Sequence, residues 1–142
     1  MTPSSTPAYS RFRAGNIGQA YNEAAFRYFL AVDRRRARRS RRPLFLVLAS
    51  LRERPGMNAQ LTPQQTAAFF GALAACVREV DFVGWFREGR VPAAVLAQGA
   101  GAACDPAVIS SRILSTLRTS LPRHRSGDVH VRVVRIGRRI FQ

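Results

Sequence analysis

The chain has 142 residues, 46% of them hydrophobic, which suits one ordinary globular domain with its own core. All 23 of its basic residues are arginine against 8 acids, a formal net charge of +15, so its surface draws anions: nucleotides, nucleic acid, acidic lipid headgroups or an acidic partner. No run of about 18 apolar residues exists to span a membrane as a helix, and the Ser-, Thr- and Pro-rich start lacks a hydrophobic signal core, so a cytoplasmic protein is expected.

Residues 1–18 read as a flexible tail, with Pro3, Pro7, Gly15 and Gly18 and no periodicity, and the domain proper is expected over 19–142. Over 19–39 the pattern turns helical, with Ala25, Phe26, Phe29 and Leu30 in one apolar stripe flanked by Val32. This leading helix ends in a run of arginines (Arg34, Arg35, Arg36, Arg38, Arg39, Arg41 and Arg42) that suits the negative end of a helix dipole, and Pro43 stops it. Residues 44–51 are continuously apolar, too short for a core helix and without a polar face, which predicts an interior strand buried on both sides. A loop with Pro55, Gly56 and Asn58 follows. Thr62 and Pro63 then open the next helix as N-cap and first helical residue. Phe69 or Phe70, Leu73, Ala74 and Val77 supply its apolar face.

Two strands over 82–86 and 91–97 come next, joined by a turn in which Gly89 supplies the positive φ that a tight hairpin needs. Pro92 argues for an edge position or a bulge. After a loop with Gly99 and Gly101, Asp105 and Pro106 start a third helix, on which Ile109, Ile113, Leu117 and Leu121 recur every four residues. Val129, Val131 and Val133 then alternate with His130 and Arg132 in a half-exposed strand. After the leading helix the order is β-α-β-β-α-β. The expected class is therefore α+β with a ferredoxin-like core: a four-stranded antiparallel sheet with two helices on one face.

Few residues outside the hairpin suggest chemistry. Cys76 and Cys104 fit no metal spacing and read as buried or half-buried thiols, with a disulfide left open. His124 and His130 lack acidic or cysteine partners at useful spacing and read as surface residues. The arginine cluster of the leading helix could grip phosphates; against this stands a solvated helix end enriched in arginine by a GC-rich genome. Trp85 could anchor a partner or a purine, whereas alternation along its strand would make one of Trp85 and Phe86 a core residue.

The hairpin itself carries a resemblance. Arg78 and Asp81 form an Arg-x-x-Asp pair, Asp81 lies six residues before Arg87, and the turn reads Arg87, Glu88, Gly89, Arg90, Val91. This layout resembles the GGDEF family, the bacterial cyclases that make cyclic di-GMP, in which Arg-x-x-Asp precedes a hairpin whose turn carries Gly-Gly-Asp/Glu-Glu-Phe. The resemblance extends over residues 20–136 through the element order and the leading helix. It implies a nucleotide-cyclase-like fold with Arg78 and Asp81 as the inhibitory cyclic di-GMP site. An arginine can bond bidentate to guanine O6 and N7 while a carboxylate accepts from N1 and N2; the plain alternative is an ion pair at a helix end.

The turn departs from the family. Its chemistry needs carboxylates at the end of the first strand and in the turn to hold a divalent metal against a triphosphate. Here the strand end offers Ala49, Ser50, Leu51 and Arg52, with Glu53 out of register, and Arg87, Glu88, Gly89 and Arg90 stand in the turn. No catalytic residue, metal or cofactor is expected. The resemblance then implies an inactive regulatory module in bacterial signalling, a cyclic di-GMP receptor or a scaffold for a protein partner, linked to exopolysaccharide or biofilm control and compatible with a homodimer. The competing expectation is a small basic domain that binds nucleic acid through the arginine-rich helix end.

Overall fold

The computed structural model describes residues 9–14, 17–40, 44–76, 80–97, 106–121 and 128–136. In chain order they form β1 (Tyr9–Ala14), β2 (Ile17–Tyr21), α1 (Glu23–Ser40), β3 (Leu44–Arg54), β4 (Met57–Asn58), α2 (Pro63–Cys76), β5 (Val80–Arg87), β6 (Val91–Ala97), α3 (Pro106–Ser120) and β7 (Val129–Ile136). The protein is α+β, with a mixed sheet and three helices among the described residues.

The sheet is built around β3, whose apolar run leaves it no polar face. It pairs antiparallel with β6 from Leu44↔Ala97 to Leu48↔Ala93, and with β7 from Leu44↔Ile136 to Leu51↔Val129. β5 and β6 form the expected antiparallel hairpin, so four strands lie in the order β7-β3-β6-β5. Short β4 folds back on the far end of β3, at Arg52↔Asn58 and Arg54↔Met57.

Beyond β5 the sheet is larger than the sequence suggests. β2 lies parallel to β5 at Tyr21↔Gly84, and β1 pairs antiparallel with β2. The flexible tail expected over 1–18 is therefore corrected: Tyr9–Ala14 and the start of Ile17–Tyr21 are strands, while residues 1–8 lie outside the described ones. Strands this short show no readable period, and what recruits them is the open edge of β5, a tertiary partner. The leading helix likewise begins at Glu23 and not at 19, because the Asn22 side-chain carbonyl accepts the Ala25 N–H at 2.9 Å and caps it. Of the two positions Pro92 leaves open, the structure shows the bulge and not the edge. β6 is interior, but the β3 ladder ends at Ala93, one residue short of Pro92, and the β5 ladder shifts register between Trp85 and Arg87. The missing N–H thus falls where neither ladder is regular.

Alternation along the strands divides the core in two. Phe45, Val47, Ala49 and Leu51 of β3 point to one face with Val83, Trp85, Ala94 and Leu96, and meet Phe69, Phe70 and Leu73 of α2 and Ile109, Ile113 and Leu117 of α3. Leu44 and Leu46 point to the other face with Ala93 and Val95, and meet Phe26 and Ala37 of α1. Two helices thus share one face as expected, and the leading helix covers part of the opposite one. α2 starts in a capping box: Thr62 Oγ1 accepts the Gln65 N–H at 3.1 Å and Gln65 Oε1 accepts the Thr62 N–H at 2.9 Å. Among the described residues no helix is long and apolar enough to cross a membrane.

Candidate functional site

The hairpin turn is held from both sides. Gly89 has φ of 76°, a left-handed conformation in which a side chain would be strained, and the exposed end of the Gln60 side chain lies where its β-carbon would be. The Arg90 N–H donates to the Arg87 carbonyl at 3.0 Å and closes the turn. The segment after β4 straps it, with the Leu61 N–H on the Gly89 carbonyl at 2.8 Å and Arg90 Nη1 on the Asn58 carbonyl at 2.7 Å.

On its other side the turn is latched to the start of α1. The Glu23 N–H donates to Glu88 Oε1 at 2.9 Å, and the Glu88 N–H donates to Glu23 Oε1 at 2.7 Å. Both carboxylates sit at the positive end of the helix dipole, which favours them there. Arg27 closes the latch: its guanidinium donates to the Phe86 carbonyl at 3.1 and 2.8 Å, meets Glu23 at 3.3 Å, and lies 4.5 Å from the centre of the Phe86 ring. Glu88 was legible in the sequence as a turn residue, whereas the roles of Glu23 and Arg27 were not. No local pattern pairs residues 65 positions apart.

Beside this latch, on the α1 face of the sheet, lies a groove of about 390 Å³. Ser50 and Arg52 of β3, Asn58 of β4, Arg87 of the turn, and His130 and Arg132 of β7 supply its polar lining, and Leu48, Phe86 and Val91 its apolar lining, with Val131 at its edge and its side chain in the core of the other face. The antiparallel register puts Ser50 opposite His130 and Leu48 opposite Arg132, so alternate residues of the two strands share this face. Arg52, Arg87, His130 and Arg132 are exposed, whereas Ser50 is only 8% exposed. Among the described residues no ion pair engages Arg52, Arg87 or Arg132. Alternation in β7 had already put His130 and Arg132 on one side; the missing information was the register that sets them against β3.

The other expected site residues scatter. Arg78 lies outside the described residues, as do Arg41, Arg42, Cys104 and His124. Asp81 stands in β5 at the register shift between Val80 and Phe82. Cys76 is the last residue of α2. Arg34, Arg35, Arg36, Arg38 and Arg39 are exposed along α1, and Arg36 reaches Asp33 at 3.7 Å. Trp85 needs correction as an interface anchor. It is buried at 6% exposure and packs edge-on to Phe70 with ring centres 5.1 Å apart, the core half of the alternation with Phe86.

The residues present do not fit a divalent metal held against a triphosphate. Such an ion takes several carboxylate or carbonyl oxygens. The turn has one carboxylate, Glu88, which is bonded to α1, and the end of β3 presents Ser50 and Arg52. No protein-family model matches the chain, and no curated protein does.

Proposed function

We propose that the chain is a non-catalytic, GGDEF-like regulatory module with a ferredoxin-like core, acting as a receptor or scaffold in bacterial signalling rather than as a cyclase. The observation that carries this reading is the state of the hairpin turn. It stands at the end of the central strand where the resemblance calls for metal-binding carboxylates, and its one carboxylate, Glu88, is bonded to the backbone of α1. The strand order β7-β3-β6-β5, with α2 and α3 on one face and a leading helix ahead of β3, supports the ferredoxin-like part. A cytoplasmic location goes with this role. In this reading Arg78 and Asp81 recognise the guanine of cyclic di-GMP, and a protein partner reads the outcome.

Calorimetry with cyclic di-GMP beside GTP, cyclic di-AMP and a short oligonucleotide tests it. Cyclic di-GMP should bind selectively, GTP should not be turned over, and Arg78→Ala should weaken binding about five- to hundredfold, the value of a bidentate guanine contact of roughly 1–3 kcal/mol. Formation of cyclic di-GMP from GTP, lost on changing Glu88, would sink the non-catalytic reading. The exposed arginines of α1 favour a second reading, nucleic-acid binding. Oligonucleotide binding with a steep salt slope that disappears in an Arg35→Gln, Arg36→Gln variant would select it.

A further inference from the structure

We propose that the groove between the end of β3, the hairpin turn and β7 is a binding site for a small organic phosphate. The site is separate from Asp81, which stands at the opposite end of β5 from Arg87. Three guanidiniums arrive from three places in the chain: Arg52 from β3, Arg87 from the turn and Arg132 from β7. No acid lines the groove, and no ion pair engages these arginines among the described residues. Like charges gathered in a concavity repel one another, and a bound anion removes that cost.

Ser50 points to a ligand independently of charge. It is the one buried polar residue among those whose burial is described, it lines the groove, and its hydroxyl has no hydrogen-bond partner among the described residues. A buried hydroxyl without a partner is costly unless something in the cavity bonds to it. Phosphate fits both features. Its oxygens accept the paired N–H groups of arginine forks and a hydroxyl donor at once.

The ligand is more than a free ion. Leu48, Phe86 and Val91 also line the groove, and a cavity of about 390 Å³ falls in the range of small-molecule sites. A phosphate monoester with an apolar or planar body satisfies the lining as a whole.

Phenyl phosphate, inorganic phosphate and phenol are the probes, each titrated into isotope-labelled full-length protein and followed by amide and arginine side-chain NMR. Phenyl phosphate should saturate with shifts confined to the ends of β3 and β5 and to β7. Inorganic phosphate should bind at the same place roughly fivefold more weakly, for want of the apolar body, and phenol should not bind measurably. The Arg52→Gln, Arg132→Gln double variant should lose tenfold or more, about the value of its charge-assisted contacts, while Arg35→Gln on α1 should leave binding unchanged. Both replaced residues are exposed, so the variant's spectrum away from the groove should match the parent. Shifts centred on α1, an equal loss in Arg35→Gln, or no saturation at β3 and β7 would each overturn the assignment. Cyclic di-GMP is not among the probes, so a failure here leaves the Arg78 and Asp81 reading standing, and the reverse holds.

Discussion

Replacing Gly84 by alanine tests the junction on which the site is built. A β-carbon at Gly84 would lie 2.7 Å from the Tyr21 carbonyl oxygen, 2.8 Å from Phe26 Cδ1 and 3.0 Å from Tyr21 Cβ. Two of these neighbours belong to β2, tied to β5 through the Tyr21↔Gly84 pair, and the third is a ring with 0% exposure that meets Phe82 at 5.3 Å. None is the free end of a flexible side chain, so relief requires β2 and the first turn of α1 to move together. Inserting a methyl into a filled site usually costs about 1–3 kcal/mol, and the fixed carbonyl argues for the upper half of that range. For a chain of this size 2–3 kcal/mol corresponds to a melting temperature lower by roughly 7–10 °C. Urea unfolding followed by circular dichroism gives the free energy, and a calorimetric scan the midpoint. The reporter should be specific too: amide exchange should quicken in β2 and at the start of α1 before it does in β3. A Gly84→Ala protein as stable as the parent would mean that α1 and β2 do not dock on β5 as described, and the latch at Glu23 and Glu88 would fall with them.

Smaller changes test the caps. Thr62→Ala removes one half of the α2 capping box and should cost about 1 kcal/mol in urea unfolding, with Thr62→Ser close to neutral. Glu88→Ala removes the acceptor for the Glu23 N–H at an exposed position and should cost about 0.5–1 kcal/mol, while Glu88→Gln, which keeps the acceptor, should recover most of it; a neutral Glu88→Ala would show that the latch carries no weight.

The strands buried on both faces and the long amphipathic helices were legible because burial imposes its own period. The run from Leu44 has no polar face since both sides of β3 are covered, and Ile109, Ile113 and Leu117 repeat every four residues since one side of α3 is. The hairpin with Gly89 at its turn was legible through backbone chemistry alone. What could not be read depends on partners distant in sequence. β1 and β2 are strands because β5 offers an open edge, and nothing in Tyr9–Ala14 announces that edge. The groove needs the β3–β7 register, which sets Ser50 opposite His130. The latch needs Glu23 and Glu88 brought together by the parallel docking of β2. Trp85 shows the opposite case: a large aromatic beside a basic turn suggests an anchor, and strand alternation said only that one of Trp85 and Phe86 enters the core, while the packing against Phe70 decides which.

The position of the acids separates charge that serves a site from charge that merely accumulated. Arginine that merely accumulates sits wherever solvent accepts it, and α1 from Arg34 to Arg39 is an exposed surface of that kind. Its arginines project from a convex helix surface with Asp33 among them, paired to Arg36. Exposed charges there are screened within about 8 Å at physiological salt. The hairpin region is different. Its two acids, Glu23 and Glu88, hold one another's backbone, and Arg27 is the cation placed against Glu23. One residue further along, the lining changes to Arg87, Arg52, His130 and Arg132 with no acid facing them. Compositional drift adds cations but does not clear carboxylates from one concave surface while leaving them a few ångströms away. A concave wall also focuses the potential that a convex helix disperses. Of the two basic regions, the groove is therefore the one whose charge is arranged for a ligand.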